Sequence, residues 1–520
     1  METVYIVLLA LLVIYIPLYV YVRKSKKAQD KGFVPYGPTI MIRTSWGLKL
    51  MDRLAKHKRF WNVMGFVSLA ISLVLMVAIV SILIIDLSVL PSVFGKAGIG
   101  IEYALAIPGL NPMLPIVYGI IGLVVAMVIH EMAHGIQSRA NDIKVNSSGI
   151  LYGVVPLGAF VEPDEEETSK ASRKARMHIF AAGITTNTFM AIIAFAIMFF
   201  AMSNCLVSDH SNGPAVYAIV SDTQADDLDI DASSIIIAVG GTKVDSDSLM
   251  DLLKTHTTSD LKTDYDVTFL YKSGEYHRTM ALGACITAIT DDSPASGTGL
   301  KKGGFITSFT DANGETLIRT PEEFSDYMKT TTPGQVVDVK FFNYNKETKL
   351  FEPGTATVTL DKKGDTGFFG ASVSVAGISF TTPELMIKSG VDPFYGREGL
   401  QDSALGLLSF VSKPFQGFSP IPESVTWWYD STILNDDAFW IIVWTLYWIF
   451  WLDIVLAISN ALPALPFDGG LLMVGGLDWL YEKSGVRDEK KREEYVNTTS
   501  NIISYVMLGV LVLVLVAVII

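Results

Sequence analysis

The stretch GLVVAMVIHEMAHGIQSRA, Gly122–Ala140, decides how this chain is read. It begins as an apolar run suited to a membrane span. It then carries His130, Glu131 and His134 into the same helix. Residues four apart lie one above the other on a helix face, so two imidazoles at i and i+4 can share one zinc ion. Glu131, one position on, falls beside the metal, where it can take a proton from zinc-bound water and pass it to a leaving amine. Ionisable groups inside a span are costly and mark function by default. The competing reading is a polar cluster that holds helices together.

Working outward, the chain has 520 residues, 50% of them hydrophobic, and a formal net charge of -13. Its mean hydropathy of +0.39 is high for a soluble protein. Six stretches are long and apolar enough to cross a hydrocarbon core of about 30 Å. They are Val4–Val22, Val63–Ile85, Ile116–Ile136, Ile179–Met202, Phe439–Leu462 and Ile502–Ile520. The first is followed by RKSKKAQDK, the reverse of a signal peptide's charge arrangement, so it is expected to remain as a span. The positive-inside rule puts Arg23–Arg59 in the cytosol. The loops carrying Lys170, Arg173, Lys174 and Arg176, and Lys483, Arg487, Lys490, Lys491 and Arg492, fall on the same side. Both termini and the Asp-rich segment between the fourth and fifth spans are then outside. The acidity reads as a solvated outer surface, and nothing points to nucleic acid. Cys205 and Cys285 both fall in that outer segment, where a disulfide is permitted but spacing does not establish one.

Catalytic zinc usually has three protein ligands and a water. The fifth span ends WLDIVLAISNALPALPFDGG, Trp451–Gly470, and offers two carboxylates. Asp453 lies inside the span. Asp468 follows a segment broken by Pro463 and Pro466, and irregular backbone at membrane depth is tolerated only where protein buries it or it lines a cavity. The Gly469–Gly470 pair permits close backbone approach.

HEMAH in one span, with NALPALPFDGG, Asn460–Gly470, in a later one, resembles the site-2 protease family of intramembrane zinc metalloproteases. The resemblance implies one Zn2+ per chain, with His130, His134 and Asp468 as ligands and Glu131 as the catalytic base. It also implies substrate handling by Asn460, and by Gly183 and Asn187 of AAGITTNTFMA, Ala181–Ala191. VVPLGAFVEPDEEE, Val154–Glu167, resembles the family's membrane-associated β-loop. Asp453 is outside the family pattern. A place beside the ligands, a gate or a rival ligand all stay open for it. With Pro115 as the outer end, His130 lies about 22 Å into the core, toward the cytosol. A peptide bond in a substrate span must be unwound and its freed amides paired, which an edge strand can do. Gly149–Glu162, with its strand-like residues, suits that role or is an ordinary cytosolic loop.

The segment after the fourth span has two halves with a shared plan, exemplified by Val216–Tyr271 and Ile286–Phe342. Each reads as strand, small-residue turn, strand, short helix and strand, and together they resemble tandem PDZ domains. GFFGA, Gly367–Ala371, is a candidate carboxylate-binding loop. The alternative is a pair of spacer domains that bind no peptide.

The expected fold is an α-helical polytopic membrane protein of about six transmembrane helices, with an inserted extracytoplasmic α+β/β region resembling two PDZ domains. The expected parts are an N-terminal span with a basic cytosolic segment (1–62), a first core part with the HExxH motif and β-loop (63–202), PDZ-like regions at 203–284 and 285–383, an extracytoplasmic linker (384–438) and a second core part (439–520). The resemblance implies a zinc endopeptidase of the cell membrane, its site opening toward the cytosol. Its substrates would be membrane-anchored regulatory proteins already cut by another protease. The alternatives are a membrane zinc transporter and a proteolytically inactive PDZ scaffold.

Overall fold

The computed structural model describes residues 2–93, 108–109, 111–153, 156–416 and 419–519. Val154 and Val155 of the expected β-loop and Ile520 of the last expected span lie outside the described residues. The chain folds as two compact units, one of residues 1–201, 408–420 and 440–520, the other of residues 202–407 and 421–439.

The first unit opens with α1 (Glu2–Lys24) and the short α2 (Lys26–Gln29), followed by the hairpin β1 (Phe33–Tyr36) and β2 (Thr39–Thr44). Tyrosines of α1 hold the hairpin turn: Tyr15 donates to Pro38 O and Tyr19 to Gly37 O, each at 2.6 Å. Next come α3 (Leu48–Ala55), α4 (Lys58–Val93) and α5 (Ile116–Ala140). Beyond α5 lie β3 (Val145–Tyr152), β4 (Pro156–Pro163), α6 (Glu165–Lys170) and α7 (Arg173–Asn204). The four strands form one antiparallel sheet in the order β1-β2-β3-β4, with Ile42 opposite Ile150 and Ile150 opposite Ala159. The hairpin between α1 and α3 therefore widens the expected β-loop into a sheet. Gly135 on α5 brings the backbone so close that a Cβ would lie 2.6 Å from Met51 Sδ and 3.0 Å from Val161 Cγ1. That contact docks α3 and β4 onto the helix that carries the two histidines.

The second unit begins with β5 (Leu206–Val207). It continues β6 (Ala215–Ile219), α8 (Gln224–Asp227), β7 (Ile235–Val239), β8 (Thr242–Lys243), α9 (Ser246–Lys254), β9 (Tyr265–Tyr271) and β10 (Gly274–Met280). The order then repeats in β11 (Ala284–Ile289), a 3-10 turn at Pro294–Gly297, β12 (Phe305–Asp311), β13 (Gly314–Leu317), α10 (Pro321–Thr330), β14 (Val336–Asn345) and β15 (Leu350–Thr359). Side-chain caps start the helices in both halves: Asp245 makes a capping box on α9, and Thr320 caps α10. The small hairpin β16 (Asp361–Lys363) and β17 (Thr366–Phe368) leads to β18 (Ala371–Val375), β19 (Ile378–Thr381) and α11 (Pro383–Val391). β18 pairs with β11, while β19 pairs with β6. The chain thus leaves the first repeat, builds the second, and returns to finish the first. Each repeat has its own core: Val216, Ile236, Leu249 and Phe269 in one, Ile306, Phe309, Phe324 and Phe369 in the other.

α12 (Gly399–Val411) and β20 (Asp430–Ser431) precede α13 (Asp436–Asn460), α14 (Asp468–Lys483) and α15 (Glu489–Ile519). Among the described residues five helices are long and apolar enough to cross a membrane: Lys58–Leu90, Ile116–Ala140, Arg173–Asn204, Asp436–Asn460 and Glu489–Ala517. The first expected span lies within α1 and is not one of these five. Small residues let the helices of the first unit approach closely. Ala181 and Ile184 of α7 pack with Ala457 and Ala461 and with Leu472 of α14.

Cys205 and Cys285 are both free thiols. Cys285 is fully buried on β11, and burial pushes its thiol from 9.0 up to about 12. At pH 8 its thiolate fraction should be about 10³-fold below that of an ordinary thiol. In the native protein Cys285 should resist alkylation at pH 8, and after denaturation without reductant both cysteines should react. Peptide mass spectrometry of the two samples checks this.

Candidate metal centre

α5 places His130 and His134 one turn apart, with ring centroids 4.8 Å from each other. His134 Nδ1 lies 2.7 Å from the carbonyl oxygen of Ile179 on α7. A carbonyl only accepts, so Nδ1 carries the proton and a neutral ring turns the lone pair of Nε2 inward. Behind the rings stands Gly183 of α7. A Cβ there would come within 2.6 Å of both His134 Nε2 and His130 Cε1.

The third group arrives from the proline-broken segment. Ala464 N donates to Leu462 O, Phe467 N to Ala464 O, and Leu465 N to Ser504 Oγ of α15. Gly469 and Gly470 then press α14 onto this segment: their Cβ atoms would lie 2.3 Å from Ala461 O and 2.4 Å from Ala464 C. Asp468 is the first residue of α14, where the helix dipole favours a negative charge.

His130 Nε2 stands 3.1 Å and His134 Nε2 3.3 Å from Asp468 Oδ2. One donor atom from each of the three residues lies within 4.8 Å of the others. All three side chains are largely buried, and Oδ2 has no hydrogen-bond partner. With its proton on Nδ1, His134 turns the lone pair of Nε2 toward a carboxylate oxygen, a repulsive contact unless a proton or a metal cation sits between them. Two imidazoles and one carboxylate form a donor set that suits zinc. The residues therefore fit the metal that the sequence led one to expect.

Glu131 Oε2 accepts a hydrogen bond of 2.9 Å from the backbone amide of Val161 on β4, the end strand of its sheet. Asn187 Nδ2 donates to Ala126 O, one turn before His130, while Asn187 Oδ1 has no partner. Asn460 Nδ2 donates to Leu456 O of its own helix. Asp453 is fully buried, neither of its oxygens has a hydrogen-bond partner, and it is not in the group with His130, His134 and Asp468. Two contributors escaped the sequence reading: the carbonyl of Ile179 and the amide of Val161. Both are backbone groups, which no residue type announces.

The model of peptidase family M50 matches residues 118–508 of this chain, a span that holds all of these groups. The chain belongs to peptidase family M50. This is the site-2 protease family, whose members are zinc metalloproteases. Five apolar helices and the M50 match make the chain a membrane protein and a protease. The chain is also similar to a protein of Methanocaldococcus jannaschii, "Uncharacterized protein MJ0971". The two are 30% identical over 273 residues, 52% of this chain and 68% of the relative. α1 and the β1–β2 hairpin lie outside the M50 match.

Gly183→Ala should displace the imidazoles, since the new methyl would meet both rings at 2.6 Å. The purified variant should keep its helical circular dichroism and bind at least about tenfold less zinc at limiting metal. Zinc titration against a competing chelator measures it.

Proposed function

We propose that this protein is an intramembrane zinc metalloprotease that cuts peptide bonds within the transmembrane segments of membrane-anchored regulatory proteins. The observation that carries the reading is the convergence of His130, His134 and Asp468, with Glu131 beside His130, on elements of a helical membrane unit. Zinc bound there supplies a Lewis acid that acidifies water and polarises a carbonyl. His130, His134 and Asp468 would hold it. The carbonyl of Ile179 keeps the His134 ring turned toward the ligand group. Glu131 takes the proton of the attacking water and delivers it to the leaving amine. This carboxylate argues against an inactive scaffold, and a transporter has no need of it.

A substrate span has to lose its helical hydrogen bonds before its carbonyls can be attacked, and in lipid those groups need new partners. β4 is an end strand, and its Val161 amide already reaches Glu131. An unwound substrate segment lying along β4 would pair with its backbone and rest next to the base. By the positive-inside rule, the basic loops support a reading with the site opening toward the cytosol and with the acidic segment and both termini outside. We read the duplicated second unit as a PDZ pair, supported by its repeated order of strands and helix. A regulatory protein already shortened by another protease is the expected substrate.

Glu131→Gln should retain zinc and lose at least about 10²-fold in the rate of cleavage of a single-span substrate. Near-normal turnover at full zinc occupancy would refute the assigned role. Asp468→Ala should lose zinc, whereas Asp453→Ala should keep it. Metal analysis of the two purified variants decides between these carboxylates, and the reverse pattern would overturn the ligand assignment.

A further inference from the structure

We propose that Arg173, Asp478 and Arg492 are positioning residues that clamp α14 against α7 and so set Asp468 against the two histidines. The inference rests on the reading of His130, His134 and Asp468 as metal ligands. Asp478 Oδ2 accepts from Arg173 Nε at 2.6 Å, and its Oδ1 accepts from Arg492 Nε at 2.7 Å. Arg173 Nη2 also reaches Glu482 Oε2 at 2.8 Å. The side chains of Arg173, Asp478 and Arg492 are 23%, 23% and 17% exposed, which shields their pairing from solvent.

Local helix electrostatics does not explain these charges. Arg173 opens α7 and Arg492 stands in the first turn of α15, where a helix disfavours cations. Asp478 and Glu482 lie in the second half of α14, toward the end that disfavours anions. Arg173 and Arg492 are of the wrong sign for the helix ends they occupy, and the ion pairs that hold them run to α14. The network is therefore a tertiary device.

It sits at one end of a row of side-chain contacts between α7 and α14. Met177, one turn after Arg173, packs on Gly475, where a Cβ would lie 2.9 Å from Met177 Cγ. Ala181, one turn further, shares a cluster with Leu472. Beyond these the two helices present the site. α7 supplies the Ile179 carbonyl that orients His134 and the Gly183 that backs both rings, and α14 supplies Asp468. Sliding of α14 along α7 would carry the carboxylate away from the His134 imidazole that α7 itself holds. The fork of Arg173 on Asp478, braced by Arg492, opposes that slide.

The test uses purified full-length protein and measures zinc affinity by chelator competition, the visible spectrum of the Co2+ form, and helicity. Asp478→Asn should weaken zinc binding at least about tenfold and alter the Co2+ spectrum while helicity is kept. Asp478→Glu should recover part of the affinity. Adding Arg173→Gln to Asp478→Asn should cost less than the two single effects combined, because both break one network. If Asp478→Asn cannot be purified, Arg173→Lys, which keeps the charge but loses the fork, should show the same weakening. Wild-type zinc affinity and an unchanged Co2+ spectrum in these variants, additive effects, or zinc loss only together with helicity would overturn the clamp. Failure of the wild type itself to bind zinc would overturn the ligand reading, and the clamp with it.

Discussion

Lipid offers no hydrogen bonds, so each polar group in the helical core needs a protein partner or a bound ion. That constraint organises the first unit. His134 is tied through Nδ1 to a carbonyl of α7, and Asn187 of α7 is tied to a carbonyl of α5. Thr185 of α7 donates to Ser68 O on α4, and Ser72 of α4 donates to Ala181 O. These bonds fix α5, α7 and α4 to one another. Nε2 of His130 and Nε2 of His134 converge on Oδ2 of Asp468, at 3.1 and 3.3 Å. A divalent cation suits such an arrangement, because two imidazole nitrogens and a carboxylate oxygen are ready ligands for it.

The break after α13 follows the same logic. Two prolines remove donors and end the helix. The remaining amides of the segment find partners on the last turn of α13, within the segment or on Ser504, and α14 begins again at Asp468. Glycines at 469 and 470 are required because the new helix lies directly on the backbone it has just left. The break thus points a helix N-terminus at the site and puts a carboxylate on its first residue. Asp453, by contrast, is enclosed with both oxygens unpaired, a costly state that sets it apart from the ligand group.

The second unit is built from different forces. Its two repeats have their own apolar cores and well-capped helices, and a hairpin whose strands part company joins them into one sheet. Because β19 completes the first repeat after the second has been made, the two are topologically interlocked rather than strung in series. Cys285 is buried within this sheet as a packed thiol.

The sequence determined what is local. Among the described residues, apolar runs marked all five helices that are long and apolar enough to cross a membrane, together with a sixth, Val4–Val22, that is not among them, since length and hydropathy are properties of a single segment. HExxH spacing placed two histidines on one helix face, because a helix fixes residues four apart. Proline and glycine marked the broken segment, but they left Asp453 and Asp468 both open until the resemblance to a family singled out the second. The tertiary structure decided what is non-local. It brought Asp468 of α14 to histidines on α5, set Gly183 against their rings, and recruited the Ile179 carbonyl and the Val161 amide. It paired β1 and β2 with the loop after α5, and returned β19 to the first repeat. The backbone contributions leave no trace in residue type, and strand pairing between distant segments depends on which edges meet once the chain is packed. One helix could be read from its spacing, whereas the site and its clamp exist only where separate helices are held together.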